Sequence, residues 1–152
     1  MALDDVDRKI LGILQQRCRL SSQELADEAG LSPATCWRRL KSLEEAGFID
    51  GYRAILDRRK LGLAVCAFVH VSVDRQYKDV VDDIEREIKK RPEVLECYAT
   101  TGDSDFTLRV VAADIDDYDR FLQKFLFQLP GVGRVRSSIA LREIKQTTEI
   151  PL

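Results

Sequence analysis

The chain has 152 residues, 45% hydrophobic and 33% charged, enough for one ordinary domain or two small ones with a well-charged surface. A net charge of −2 gives no bulk attraction to nucleic acid, and no apolar run approaches the ~20 residues of a membrane-crossing helix. Four scattered cysteines with no C-x-x-C pair, and a single histidine, argue against a zinc cluster, a redox dithiol or a catalytic triad.

The opening "MALDDVDRK" has no signal-peptide layout, so a cytoplasmic protein with reduced, mostly buried thiols and no membrane partner is expected. Residues 1–60 carry 11 Lys/Arg against 10 Asp/Glu, and residues 61–152 carry 13 against 16. Any basic patch must therefore be local.

The first 50 residues read as helices. Val6, Ile10, Leu11, Ile13 and Leu14 recur near helical spacing, and Asp4 and Asp5 favour the start of that helix through its dipole. In "SSQELADEAG", Ser21 and Glu24 have capping-box spacing and Gly30 suits a helix end. In "LSPATCWRRLKSLEEAG", Ser32 suits an N-cap, Pro33 the first helical position and Gly47 the C-cap. Three short helices, the last two tightly joined, predict a helix-turn-helix. "FIDGYRAIL" then switches to β-like alternation around the turn signal Asp50-Gly51, as a wing or short strand would. Residues 1–56 are thus expected to form a winged helix-turn-helix domain, with residues 57–63, "DRRKLGL", as a linker.

Residues 64–152 have a different rhythm. "AVCAFVHVSV" reads as a strand and "YKDVVDDIEREIKKR" as a helix. "EVLECYAT" and "FTLRVVAA" read as strands joined by the polar loop "TGDSD". "IDDYDRFLQKFLFQL" reads as a helix stopped by Pro130-Gly131, and "GRVRSSIALREI" as a last strand. The order βαββαβ predicts a ferredoxin-like domain, and the whole chain an α+β protein. Helices cover one sheet face only. Cys66, Phe68 and His70 alternate onto the other, which a second copy is expected to cover, making a homo-oligomer. His70 and Cys97 read as packed sheet residues rather than as a switch or a sensor.

On the third helix, Cys36, Leu40 and Leu43 form an inward stripe at i, i+4 and i+7. Ala34, Arg38, Lys41 and Glu45 project roughly opposite, Thr35 and Ser42 flank them on one side and Trp37 on the other. Arg38 is then best aimed at a base or phosphate. Arg39 lies nearer the core stripe, fit for either a structural ion pair or a phosphate contact. Small side chains at Ala34 and Thr35 permit close approach to a major groove, and the helix start at Ser32 and Pro33 offers N–H groups to a phosphate. The candidate DNA-binding set is Ser32, Pro33, Ala34, Thr35, Trp37, Arg38, Arg39, Lys41 and Ser42, with double-stranded DNA as partner. A solvated charged helix face is the bland alternative.

These motifs, in this order, resemble the Lrp/AsnC (feast/famine) transcription regulators across essentially the whole chain. "LSPATCWRRLKSLEEAGFIDGY" is similar to that family's reading-helix signature through Leu31, Ser32, Pro33, Arg39, Leu43, Glu44, Gly47, Ile49, Gly51 and Tyr52. "TGDSDFTL" is similar to its effector-domain signature through Gly102, Asp103, Asp105 and Leu108, although Ser104 stands where a hydrophobic residue is common. "LPGVGRVRSSIALREIK" is similar to its ending, with Ser137 and Ser138 where Thr is usual. The resemblance implies a DNA-binding regulator, not an enzyme, that dimerises through the βαββαβ domain, assembles further and responds to an amino acid held where dimers meet. It carries no cofactor beyond that effector. The implied effector set is Thr101, Gly102, Asp103, Asp105 and Ser138. Asp103 and Asp105 can receive an ammonium group, while the Gly102 backbone can approach a carboxylate closely. A polar turn whose Asp side chains cap their own backbone is the alternative.

Overall fold

The computed structural model describes residues 2–74 and 80–152, in two compact units: residues 1–55 with 145–152, and residues 56–144. The beginning of the helix read from "YKDVVDDIEREIKKR", at Tyr77 to Asp79, lies outside the described residues.

In the first unit, α1 spans Asp5–Gln16, α2 Ser22–Ala29 and α3 Pro33–Glu45. Each starts where a short polar side chain can accept a backbone N–H that has no partner inside the helix. Asp4 and Asp7 form a reciprocal capping box on α1, Ser21 and Glu24 another on α2, and Ser32 caps α3 with Pro33 in its first turn. Gly30 ends α2 at φ +75°, a left-handed conformation that costs glycine little. The apolar stripes meet in one core of Ile10, Leu11, Leu25, Ala26, Ala29, Cys36 and Leu43, with Leu40 and Ile49 packed on it. Polar ties hold the helix pairs. Lys9 Nζ donates to the Ala29 carbonyl, a cation at the C-terminal end of α2, and Arg17 pairs with Glu28.

Two features of this unit differ from the sequence reading. Residues 49–57 carry no helix or strand, so the β-like alternation after α3 finds no ladder within one chain. Residues 145–152, expected with the second domain, group with the first unit. There the Gln15 amide donates to the Ile150 carbonyl at 3.0 Å and accepts the Ile150 N–H at 2.6 Å.

The second unit is one antiparallel sheet with two helices. Its elements are β1 Val65–Val73, α4 Val80–Lys89, β2 Val94–Ala99, β3 Phe106–Ala112, α5 Ile115–Lys124 and β4 Val132–Ile139. The strand order β2-β3-β1-β4 is that of the expected split βαβ arrangement. Ala67, Val69 and Val71 of β1, with Phe106, Leu108 and Val110 of β3, face Ile84 and Ile88 of α4 and Tyr118 and Phe121 of α5. The opposite face carries Phe68, 41% exposed, between Arg109 and Ser138, and His70 between Thr107 and Arg136. His70 Nδ1 lies 3.2 Å from Thr107 Oγ1, and Glu96 pairs with Arg109.

The long helix expected over residues 115–129 stops at Lys124 and continues as a 3₁₀ turn over Leu126–Gln128. The chain tightens there before Pro130 and Gly131. Gly131 has φ +79°, and a Cβ on it would fall 2.1 Å from Val80 Cγ2, so only glycine fits. β4 ends at Ile139, earlier than expected: Ile139 pairs with Ala67 of β1, and the Ala140 N–H makes a further bond to the Cys66 carbonyl. Cys36 and Cys66 are buried, but Cys18 and Cys97 are exposed, so only half of the thiols match the buried expectation.

Candidate nucleic-acid interface and effector loop

On α3 the core stripe is in place: Cys36 and Leu43 are buried and Leu40 is half-buried. The caps set where the helix begins, and the stripe sets which side of it faces the core. Arg38 therefore emerges exposed on the opposite side and makes no ion pair among the described residues. Trp37 is 57% exposed, and Lys41 Nζ lies 5.3 Å from its ring centroid while also reaching Glu45 at 3.7 Å. Ser32 Oγ accepts the Thr35 N–H and donates to Thr35 Oγ1 at 2.9 Å. Pro33 has no N–H, which leaves Ala34 with the one N–H in that first turn lacking an acceptor among the described residues. The helix start offers fewer N–H groups than its position alone suggests. Ser42 is exposed one turn beyond Arg38.

Arg39 departs from the group. Its Nη1 donates to Asp4 Oδ2 at 2.7 Å and Asp7 Oδ1 at 2.8 Å, so its charge is already matched by two carboxylates of α1. The Asp7 backbone N–H, then the Arg39 guanidinium, hold the Asp4 carboxyl below its usual range; the same two carboxylates push Arg39 up. The sequence reading gives Asp4 only a dipole role, beside Asp5, and assigns none to Asp7. The signal that could have found them is their own i, i+3 capping-box spacing. At the far end of α3, the Tyr52 hydroxyl donates to Glu44 Oε1 at 2.8 Å. Partial burial and that carboxylate push the phenol up to about 12.

In the second unit, the loop between β2 and β3 brings Thr101, Gly102, Asp103 and Asp105 together. Gly102 sits at φ +103°, where a side chain is strained. The loop is tied to the end of β1: Asp105 N–H donates to the Val71 carbonyl, Asp105 Oδ2 accepts the Val73 N–H at 2.8 Å, and Ser72 Oγ donates to the Asp103 carbonyl. Within the loop, Thr100 Oγ1 donates to the Ser104 carbonyl. The Asp103 carboxylate is exposed and has no partner among the described residues. Ser138 does not join them. It pairs with Phe68, five residues along β1 from Val73, which at ~3.3 Å per residue is roughly 17 Å away. Sequence reading missed a cleft of about 320 Å³ between α4 and β2, lined by Ile88, Val94, Cys97, Ala99 and Phe106 with Glu85 and Lys89. Ala99 and Phe106 flank the loop in sequence.

Among the described residues no group of His, Cys, Asp and Glu could hold a metal ion, and no helix is long and apolar enough to cross a membrane. A capped three-helix reader followed by a helix-backed antiparallel sheet defines a two-domain DNA-binding regulator. The profile described as winged helix-turn-helix DNA-binding matches residues 3–50, and that of the Lrp/AsnC ligand binding domain residues 66–150. The chain is 39% identical over 150 residues to the DNA-binding transcriptional activator DecR of Escherichia coli (strain K12), covering 99% of each. It is 36% identical over 148 residues to the leucine-responsive regulatory protein of the same strain, covering 97% of this chain and 90% of the relative. The crystal structure of a Neisseria meningitidis transcriptional regulator in complex with L-Met superposes with a TM-score of 0.96 at 40% identity, covering 99% and 97%. The chain belongs to the Lrp/AsnC family, and is a sequence-specific DNA-binding transcription regulator rather than an enzyme.

Proposed function

We propose that this regulator acts in the cytoplasm, reads double-stranded DNA with the N-terminal half of α3, and changes assembly or DNA affinity when an amino acid binds its second unit. Ala34 and Thr35 approach the base edges, Arg38 contacts a base or phosphate, and Ser32, Pro33, Trp37, Lys41 and Ser42 line the backbone. The observation that carries this reading is Arg38, exposed opposite the core stripe of a capped helix and unmatched by any carboxylate among the described residues.

The effector is an amino acid held by Thr101, Gly102, Asp103 and Asp105. The Neisseria relative, solved as an L-Met complex, supports that class of ligand. The geometry divides the two aspartates. Asp103 has a carboxylate to offer an ammonium group, whereas Asp105 already accepts the Val73 N–H and orients the loop. Ser138 reaches such a ligand only from another copy. The uncovered sheet face with Phe68 and His70 is the surface on which a second copy packs.

Gel-shift on the gene's own upstream region, with and without each of the twenty amino acids, tests both halves. A retarded complex that responds to one amino acid is the expected result. The same amino acid at 100 times its dissociation constant should stabilise the protein by about 2.7 kcal/mol in a thermal shift. Ligand binding with no DNA retardation on any duplex recovered from a random pool would leave a small-molecule-binding protein instead.

A further inference from the structure

Arg39 sits one residue from Arg38; the sequence puts both in the candidate DNA-binding set but leaves Arg39 open between a structural ion pair and a phosphate contact. Their surroundings differ. Arg39 is 31% exposed in its side chain and bridges Asp4 and Asp7, the latter only 8% exposed. The second oxygen of each carboxylate is committed elsewhere: Asp4 Oδ1 accepts the Asp7 N–H at 2.8 Å, and Asp7 Oδ2 accepts the Asp4 N–H at 3.3 Å. All four oxygens of the pair are thus engaged, two by the N-cap of α1 and two by one guanidinium nitrogen of α3. One cation facing two carboxylates leaves the cluster net negative, and a phosphate brought there would be repelled.

We propose that Arg39 is a positioning residue: it fixes the rotation of α3 about its axis by tying it to the N-cap of α1, so that Arg38 meets the DNA. Successive helical residues are ~100° apart, so holding Arg39 against α1 sets the direction of Arg38 directly. The core stripe of Cys36, Leu40 and Leu43 alone is smooth and apolar and permits small rotations that a two-carboxylate clamp does not. The clamp also supplies the cation that a nearly buried Asp7 needs.

The inference rests on α3 being the reading helix. Its test uses full-length protein and two duplexes, one recovered by the wild type from a random-sequence pool and one scrambled, each titrated across salt concentration. Arg39→Ala and Asp7→Asn should both lower the ratio of selected to scrambled affinity. Losing register at one base pair corresponds to about tenfold. The slope of log affinity against log salt should not change, and Arg39→Lys should restore part of the ratio. Asp4→Asn keeps a capping oxygen while removing its charge, so it should move the ratio the same way by less, and it decides the matter if Arg39→Ala fails to fold. A slope reduced by about 0.9 in Arg39→Ala, with tighter binding in Asp7→Asn or Asp4→Asn, would make Arg39 a phosphate contact and overturn the proposal. So would an unchanged ratio with only a lower melting temperature. Arg38→Ala is the control: if it leaves affinity for the selected duplex intact, the reading face itself fails and the clamp with it.

Discussion

The reading helix and the β2–β3 loop hold their charged groups by opposite means. On α3, rigid helical geometry decides which side chain is exposed, and one cation, Arg39, is tied down while its neighbour Arg38 is not. In the loop no regular element decides. Asp105 is tied to Val73 and Asp103 is left exposed, by hydrogen bonds that the loop makes to the end of β1. In both places, of two like-charged residues close in sequence, one is tied within its own unit and the other faces outward. The charge that faces outward is the one available to a partner; the tied one shows its worth when it is removed.

The largest expected effect comes from breaking the scaffold under the first region. Leu43 is fully buried in the small core of the reading unit. Leu43→Ala removes side-chain packing there and should cost about 2–5 kcal/mol. Hydrogen exchange should show α1 to α3 losing protection while the sheet strands keep theirs. Equal loss in both units would mean that they unfold together and that the comparison has no energetic basis.

Within the loop, Asp105→Ala leaves the Val73 N–H without its acceptor. An unmet buried donor costs about 1–3 kcal/mol, and the Val73 N–H is only part-buried, so denaturant unfolding of the second unit should shift by about 1 kcal/mol. Asp103→Ala should leave stability unchanged and abolish the amino-acid response in the gel-shift. Reversal of the two results would exchange the roles assigned to the aspartates. On α3, Arg38→Ala should weaken binding to the selected duplex roughly ten- to a hundredfold, from the loss of about 1–3 kcal/mol for a base contact. Circular dichroism should be unaltered.

What the sequence made legible was whatever depends on short-range chemistry. Ser21, Ser32 and Gly30 announce helix ends because their side chain, or its absence, meets the backbone within three residues. The alternation in "VCAFVHVSV" gives both faces of β1 because strand periodicity needs no partner to be read. What depended on distant partners was not legible. The C-terminal residues look like more of the last strand, but their ladder to β1 ends at Ile139. The pairing of Arg39 with Asp4 and Asp7 spans more than thirty residues, so spacing left it open between phosphate and ion pair. Ser138 looked like a member of the effector set by motif, yet the strand register puts it at the far end of β4 from the loop.

The smallest effect expected is a titration shift, and it probes the tied charges alone. Asp4 is exposed, so the shift carries little stability, but it reports the clamp directly. Its carboxyl lies below 3.8, first because it accepts the Asp7 N–H and then because Arg39 faces it. A carboxyl depressed on folding contributes stability that is present above its unfolded value and lost as pH falls through the folded one. The contribution is therefore complete at neutral pH and fades only below about 3.8. Carbon-detected NMR should find the Asp4 midpoint below the unfolded value in wild type. In Arg39→Ala it should move upward yet stay depressed, because the Asp7 N–H, the larger cause, remains. Asp117, capped onto the Ala113 N–H in the second unit, should not move at all. An Asp4 midpoint indifferent to Arg39→Ala would mean that the pair is not formed in solution, and the distinction between Arg38 and Arg39 would lose its physical cause.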